Sequence, residues 1–219
     1  MSWTAFWYIL PISFDWMRWN LFLALIPLSL SIGLFQVAPQ RSRLWWLGLI
    51  TFVAFLPNAP YILTDVIHLV EEIQGTPSLL FNSLIVVPRY ALFLLLGFSA
   101  YVLSVVNVGL YLKRQGLNRW VLPVEWGLHG LSAIGVNLGR FDRFNSWDLW
   151  VKPGPILLEI LQDLTRGKTL SFIAIATLVI AGLYWVGKQI TLALILRYQM
   201  GRTPSSADSA AAPPAPGTV

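Results

Sequence analysis

Five stretches of this chain, 19–37, 44–63, 88–112, 121–140 and 170–196, are each long and apolar enough to cross a bilayer. A span takes roughly 20 mostly apolar residues, and in hydrocarbon a helix is the form that satisfies its own backbone groups. The expected fold is an all-α polytopic membrane protein, a bundle of about five transmembrane helices. Charge content points the same way. Only 11% of the 219 residues are charged and 56% are hydrophobic, with a mean hydropathy of +0.66. Soluble domains carry about 25% charged residues, so the polar surface that would wrap a water-soluble globule is missing.

Prolines divide these stretches. Pro27 predicts a kink in the first span. Apolar sequence from Leu79 to Leu112 would make a single helix of roughly 50 Å at 1.5 Å per residue. The reading therefore splits it at Pro88 and leaves 79–87 as a short re-entrant or interfacial piece. Residues 1–18, aromatic, without an early Lys or Arg and broken at Pro11, suit an interfacial segment rather than a cleaved signal peptide. The helical membrane domain then covers 19–200. Residues 201–219, small and Pro-rich, read as a disordered tail.

The net charge of +5 suggests nucleic acid only until its carriers are located. Arg41 and Arg43, then Lys113, Arg114 and Arg119, then Arg197 and Arg202, fall in loops on one side of the bundle, as topology determinants do. No nucleic-acid partner is expected, and membrane lipid is. The positive-inside rule makes that side cytoplasmic, with the N-terminus outside. With no cysteine in the chain, disulfides and thiolate–metal chemistry are excluded. In the longest outer loop, 141–169, "ILLEILQDL" sets Ile156, Leu157, Ile160, Leu161 and Leu164 on one helical face, which predicts a helix lying on the membrane surface. Glu159 and Asp163 on its wet side argue against attraction to anionic lipid.

Three constellations carry possible chemistry. The first is "FLPNAPYILTDVIHLVEE", residues 55–72. Pro57 and Pro60 free the carbonyls of Val53 and Leu56, and Asn58 is a suitable cap for a new helix. From there Asn58, Tyr61, Asp65, His68 and Glu72 recur at spacings of three and four, a polar stripe that belongs against protein or a wet cleft. Its plain reading is a kinked span running out into water. The sharper reading makes Asp65, His68 and Glu72 ligands of a divalent transition metal such as Zn, Mn or Fe. The second is "PVEWGLHGLSAIGVNLGR", which places Glu125 and His129 inside a span, where ionisable groups are functional candidates. Capping and pairing with Arg119 is the plain alternative for Glu125. Gly135 and Gly139 fit a helix-packing motif. The third is "GRFDRFNSWD". Its Arg140, Asp142, Arg143, Asn145 and Asp148 suit either internal ion pairing or binding of an anionic headgroup, since arginine offers a rigid donor fork. By topology this loop shares one membrane face with the 55–72 motif and with Arg89.

"FLPNAPYILTDVIHL" and "GRFDRFNSWD", with the hydrophobic layout from Asn20 to Tyr198, resemble the bacterial membrane family called domain of unknown function 1361. The resemblance implies a multi-pass protein of the cytoplasmic (inner) membrane and carries no activity, substrate or cofactor. Four functions stay open. The first is binding of a small anionic ligand, lipid headgroup or partner at an outer-face pocket built from Asn58, Tyr61, Arg89, Arg140, Asp142, Arg143, Asn145 and Asp148, and the second is assistance to assembly of a larger membrane complex. The others are a metal-dependent membrane-surface hydrolase, with Asp142 or Asp148 completing the ligand set, and a transporter or proton relay through Glu125 and His129, formed as a homo-oligomer. No H-E-x-x-H pattern supports the hydrolase.

Overall fold

The computed structural model describes residues 3–200 except 39, 77 and 164, with side chains from 15 to 198. The chain is all-α, with no strand among the described residues. Helix α1 (Trp3–Ile32) runs through Pro11 and Pro27 and widens into a π turn at Gly33–Val37. Position 19 is therefore not a boundary between elements, and the tail 201–219 lies outside the described residues. Helix α2 (Arg43–Phe55) starts where the Ser42 hydroxyl accepts the Trp45 amide, a side-chain cap for a donor that the helix leaves open.

Beyond α2 the two prolines change the pitch of the helix without interrupting it. Short helix α3 (Asn58–Tyr61), a 3-10 turn at Ile62–Asp65 and α4 (Val66–Gly75) follow in sequence. At the joints Leu56, Pro57, Ile62 and Val66 all keep right-handed helical backbone angles. Arg43–Gly75 is thus one run of 33 residues.

Pro88 behaves similarly, and here the expected split is corrected. Helix α5 (Leu79–Phe81), a π turn at Asn82–Val86 and α6 (Val87–Arg114) form one continuous run of 36 residues. A proline ring clashes with the carbonyl four residues back in a regular helix. The π turn just before it, closed by the Val87 amide on the Asn82 carbonyl, widens the helix there, and the helix continues. In the first turns of the run Leu79 and Leu80 are highly exposed.

Helices α7 (Val121–Arg140), α8 (Asp148–Val151), α9 (Pro153–Asp163) and α10 (Gly167–Met200) complete the chain. Among the described residues four helical runs are long and apolar enough to cross a membrane: Asp15–Val37, Arg43–Gly75, Leu79–Arg114 and Gly167–Tyr198. Each contains one of the expected spans. Helix α7 keeps the expected bounds, and its 20 residues would reach about 30 Å, but it is less apolar than the other four. Its polar groups Glu125, His129, Ser132 and Asn137 are buried among neighbouring helices instead of facing lipid.

Helix α6 is the axis of the bundle. Helix α1 packs along it, α7 and α10 pack on each other and on α6, and α2 leans on α1. Segment α3 wedges between α1, α6 and α7. Two glycines make that wedge possible. A Cβ at Gly97 would lie 2.2 Å from Ile62 Cδ1, and one at Gly135 would lie 2.5 Å from the Pro57 ring. Phe52, Leu56, Ile62, Tyr90, Tyr101 and Val105 fill the core at 1% exposure or less.

Candidate functional site

The functional geometry starts at the prolines. Without an N–H on Pro60, the Leu56 carbonyl accepts from Ala59 instead, at 3.2 Å. That leaves the Phe55 carbonyl free, and the Asn58 side-chain amide donates to it at 3.0 Å. The same Nδ2 donates to Ser146 Oγ at 2.7 Å. Asn58 therefore does not cap a helix. It mends the backbone gap next to the prolines and ties the kink to the loop after α7.

That loop folds back on itself. The Phe144 amide returns to the Leu138 carbonyl at 3.1 Å, and Arg143 takes a left-handed backbone with φ 58°. Asp148 accepts the Asn145 amide at 2.7 Å and begins α8. Beneath the loop, a Cβ on Gly139 would lie 3.2 Å from the Tyr61 ring, so the small residue allows Tyr61 to pack against α7. The "NAPY" and "FNS" segments are in contact, and between them lies a cleft of about 630 Å³. Pockets that bury a small-molecule ligand usually measure about 300–1,000 Å³. The cleft walls are apolar, with Asn20, Asn58, Tyr61, Asn145 and Ser146 supplying the polar groups.

The sequence candidates divide on this geometry. Asn58, Tyr61 and Asn145 line the cleft. Arg140 and Arg143 do not line it but stand next in sequence to Gly139 and Phe144, which do, and among the described residues neither makes an ion pair or side-chain hydrogen bond. Arg140 is within Coulombic reach of Asp65. The expected pairing of these arginines with Asp142 and Asp148 does not occur, because Asp148 is used to close the turn and Asp142 faces α9. Arg89 lies elsewhere. It pairs with Glu72, both side chains largely buried, and stacks over Tyr90.

Asp65, His68 and Glu72 do not converge, which corrects the expected ligand set. Asp65, 2% exposed, accepts from Asn20 Nδ2 at 2.9 Å. His68 Nδ1 lies 3.1 Å from Glu71 on the exposed side, its ring against Trp16, and Glu72 goes to Arg89. His68 and Glu72 still lie one turn apart in α4, so what keeps the three side chains apart is the separate partner each meets from α1, α4 and α6. Carboxylates gather instead at Asp142, Glu159 and Asp163, whose oxygens lie within 4.8 Å of one another. Arg166 supplies the counter-charge, at 3.2 Å from Glu159 and 3.5 Å from Asp163. Asp163 is 4% exposed and accepts from Asn137 at 2.6 Å, so the supposed wet side of α9 is partly its inner side. Desolvation, then repulsion from Asp163 and Glu159, holds the Asp142 carboxyl above its ordinary range, with Arg166 offsetting part of the rise. Ile156 and Ile160 of α9 meanwhile wall the cleft; Leu164 lies outside the described residues.

Glu125 and His129 belong to a separate network on the bundle axis. Glu125 takes both oxygens to Lys188 Nζ, at 2.5 and 2.8 Å, and accepts from the Tyr184 hydroxyl at 2.7 Å. His129 Nδ1 shares a 2.7 Å hydrogen bond with the Tyr101 hydroxyl, and its ring lies 4.7 Å from that of Tyr184. The partner of Glu125 is thus Lys188 and not Arg119. Sequence reasoning also missed Asn20, Ser146 and Asp163. A lone amide and a lone lysine within apolar spans were the available signals for Asn20 and Lys188.

The two motif segments lie within residues 19–183, which match the model of a family described as a protein of unknown function, DUF1361. The chain belongs to that family. Curated proteins and solved structures give no match. The family match runs from Trp19 in α1 through the first half of α10, so the α3 kink and the 140–148 loop both lie within the matched region.

Proposed function

We propose that this protein binds an anionic ligand of the phosphate-ester class in the cleft between α3 and the 140–148 loop, at one boundary of the membrane. The observation that carries the reading is that Arg140 and Arg143 stand next in sequence to Gly139 and Phe144, which line the polar end of the cleft, while Asp148 is taken up in its own turn and Asp142 lies beside Glu159 and Asp163 of α9. An arginine left without a carboxylate partner keeps its donor fork available for a phosphate. Asn58, Asn145 and Ser146 add neutral polar groups at the same end.

The proposed placement has α7 crossing the membrane as a fifth span, its polar groups shielded by α6 and α10, so that the basic loops at 41–43 and 113–119 are cytoplasmic and the cleft opens on the outer side. Binding of dihexanoyl phosphatidic acid, set against its phosphatidylcholine counterpart, tests the reading by native mass spectrometry. The wild type is expected to prefer the anion. Arg140→Gln with Arg143→Gln should weaken that binding by about tenfold per arginine, the low end for a hydrogen bond to a charged group (about 1.5–3 kcal/mol). Equal binding of both headgroups, or an unaffected double variant, would overturn it.

A further inference from the structure

Resting on that anion-binding reading, we infer that the ligand is a membrane lipid whose acyl chain lies in an apolar groove between α2 and α7, reached sideways from the bilayer. The cleft is elongated. Along α2 it is lined by Trp46, Leu49, Ile50, Val53, Ala54 and Pro57, and along α7 by Leu131, Ile134, Gly135, Leu138 and Gly139. On both helices the lining recurs at spacings of three and four, the signature of a single face. Trp46 to Pro57 is eleven residues, or about 16 Å at 1.5 Å per residue. That is close to half of the roughly 30 Å hydrocarbon layer, the depth of one leaflet.

The polarity runs in one direction. Asn58, Tyr61, Asn145 and Ser146 cluster where Arg140 ends α7, whereas Trp46, Ile50 and Leu131 line the apolar end. An anionic head at the boundary with a chain one leaflet long matches that gradient, and a free phosphate would leave the apolar part unused. The groove exists because the two helices are held apart. Helix α2 packs mainly on α1, and α7 on α6, α10 and α3, so α3 is the main bridge between them. Its rim faces outward, with Trp46 52% exposed, Ile50 51% and Leu131 50%, on segments whose surroundings in a membrane are lipid tails. Water could reach only the polar end.

The test uses full-length protein in nanodiscs containing a phosphatidic acid with a photoreactive diazirine at mid-chain. Adducts are mapped by peptide mass spectrometry. They are expected to concentrate on Ile50, Val53, Leu131 and Ile134, and to be displaced by unlabelled phosphatidic acid but not by phosphatidylcholine. Ala54→Phe, which fills the groove, should lose these adducts while keeping the preference for anionic over zwitterionic dihexanoyl lipid. Ile50→Asn, at a half-exposed position, provides a second variant with the same expectation should Ala54→Phe fold poorly. Adducts spread over the lipid-facing sides of α6 and α10, with the anion preference intact, would overturn the lipid inference and leave the anion site standing. Loss of the preference itself in the wild type would remove the reading beneath it.

Discussion

Asn58 shows how much one side chain carries here. Its amide satisfies the Phe55 carbonyl and holds Ser146, so Asn58→Ala leaves a half-buried acceptor open beside two prolines. An unsatisfied buried polar group costs about 1–3 kcal/mol, and a drop in thermal midpoint together with weaker anion binding is expected. Asn58→Asp should not rescue it, because a carboxylate donates nothing to a carbonyl. Asp142 supplies the pH dependence. Its carboxyl titrates above the ordinary value of 3.8, so the folded protein holds that proton more tightly than the unfolded chain does. The resulting stabilisation is complete below the unfolded value and disappears as pH rises through the folded one. Thermal melts are expected to rise as pH falls through this window. Asp142→Asn, which imitates the protonated form, should raise the midpoint at neutral pH and flatten the profile; a steeper profile would contradict this.

Among the elements, the two contacts that decide the architecture are made by glycine and by an ion pair. Gly135 lets Pro57 sit directly on α7. Gly135→Ala would push α3 off that surface, at about 1–3 kcal/mol for overpacking a filled site, and should cost anion binding as well, since α3 carries Asn58 and Tyr61. Gly130 has open space beside it, so Gly130→Ala is the control that should leave both unchanged. On the other side of α7, Lys188 fastens α10 through Glu125. Removing one member of a buried pair strands the other at about 3–5 kcal/mol, a figure to be lowered here because the Lys188 side chain keeps 22% exposure. Lys188→Met alone is expected to lower the melting midpoint more than Lys188→Met combined with Glu125→Gln, and a double-mutant cycle measures the coupling.

For the whole molecule the sharpest question is how many times the chain crosses. Four helical runs among the described residues qualify by length and apolar content, and the proposed placement adds α7. The chain contains no cysteine, so single cysteines introduced at Gly116 and at Arg143 report sidedness without background. With α7 crossing, a membrane-impermeant thiol reagent applied from outside should label position 143 and not 116. Labelling of both from one side would place α7 on a single face of the membrane.

The sequence by itself determined the fold class, the approximate bounds of the helices and the likeness to the family, because apolar run length is a local property that a bilayer reads directly. It also singled out both motifs that meet at the cleft, since a polar group in so apolar a chain stands out. Which groups pair was decided only in three dimensions. Asp65, His68 and Glu72 each met a different partner, Asn20, Glu71 and Arg89, and a π turn carried the helix through Pro88. Asp142 was directed to α9 and Asp148 into its own turn, so among the described residues neither forms an ion pair with Arg140 or Arg143. Such choices depend on helix pitch and on the approach of distant segments, and neither is encoded in the spacing of residues along one strand of sequence.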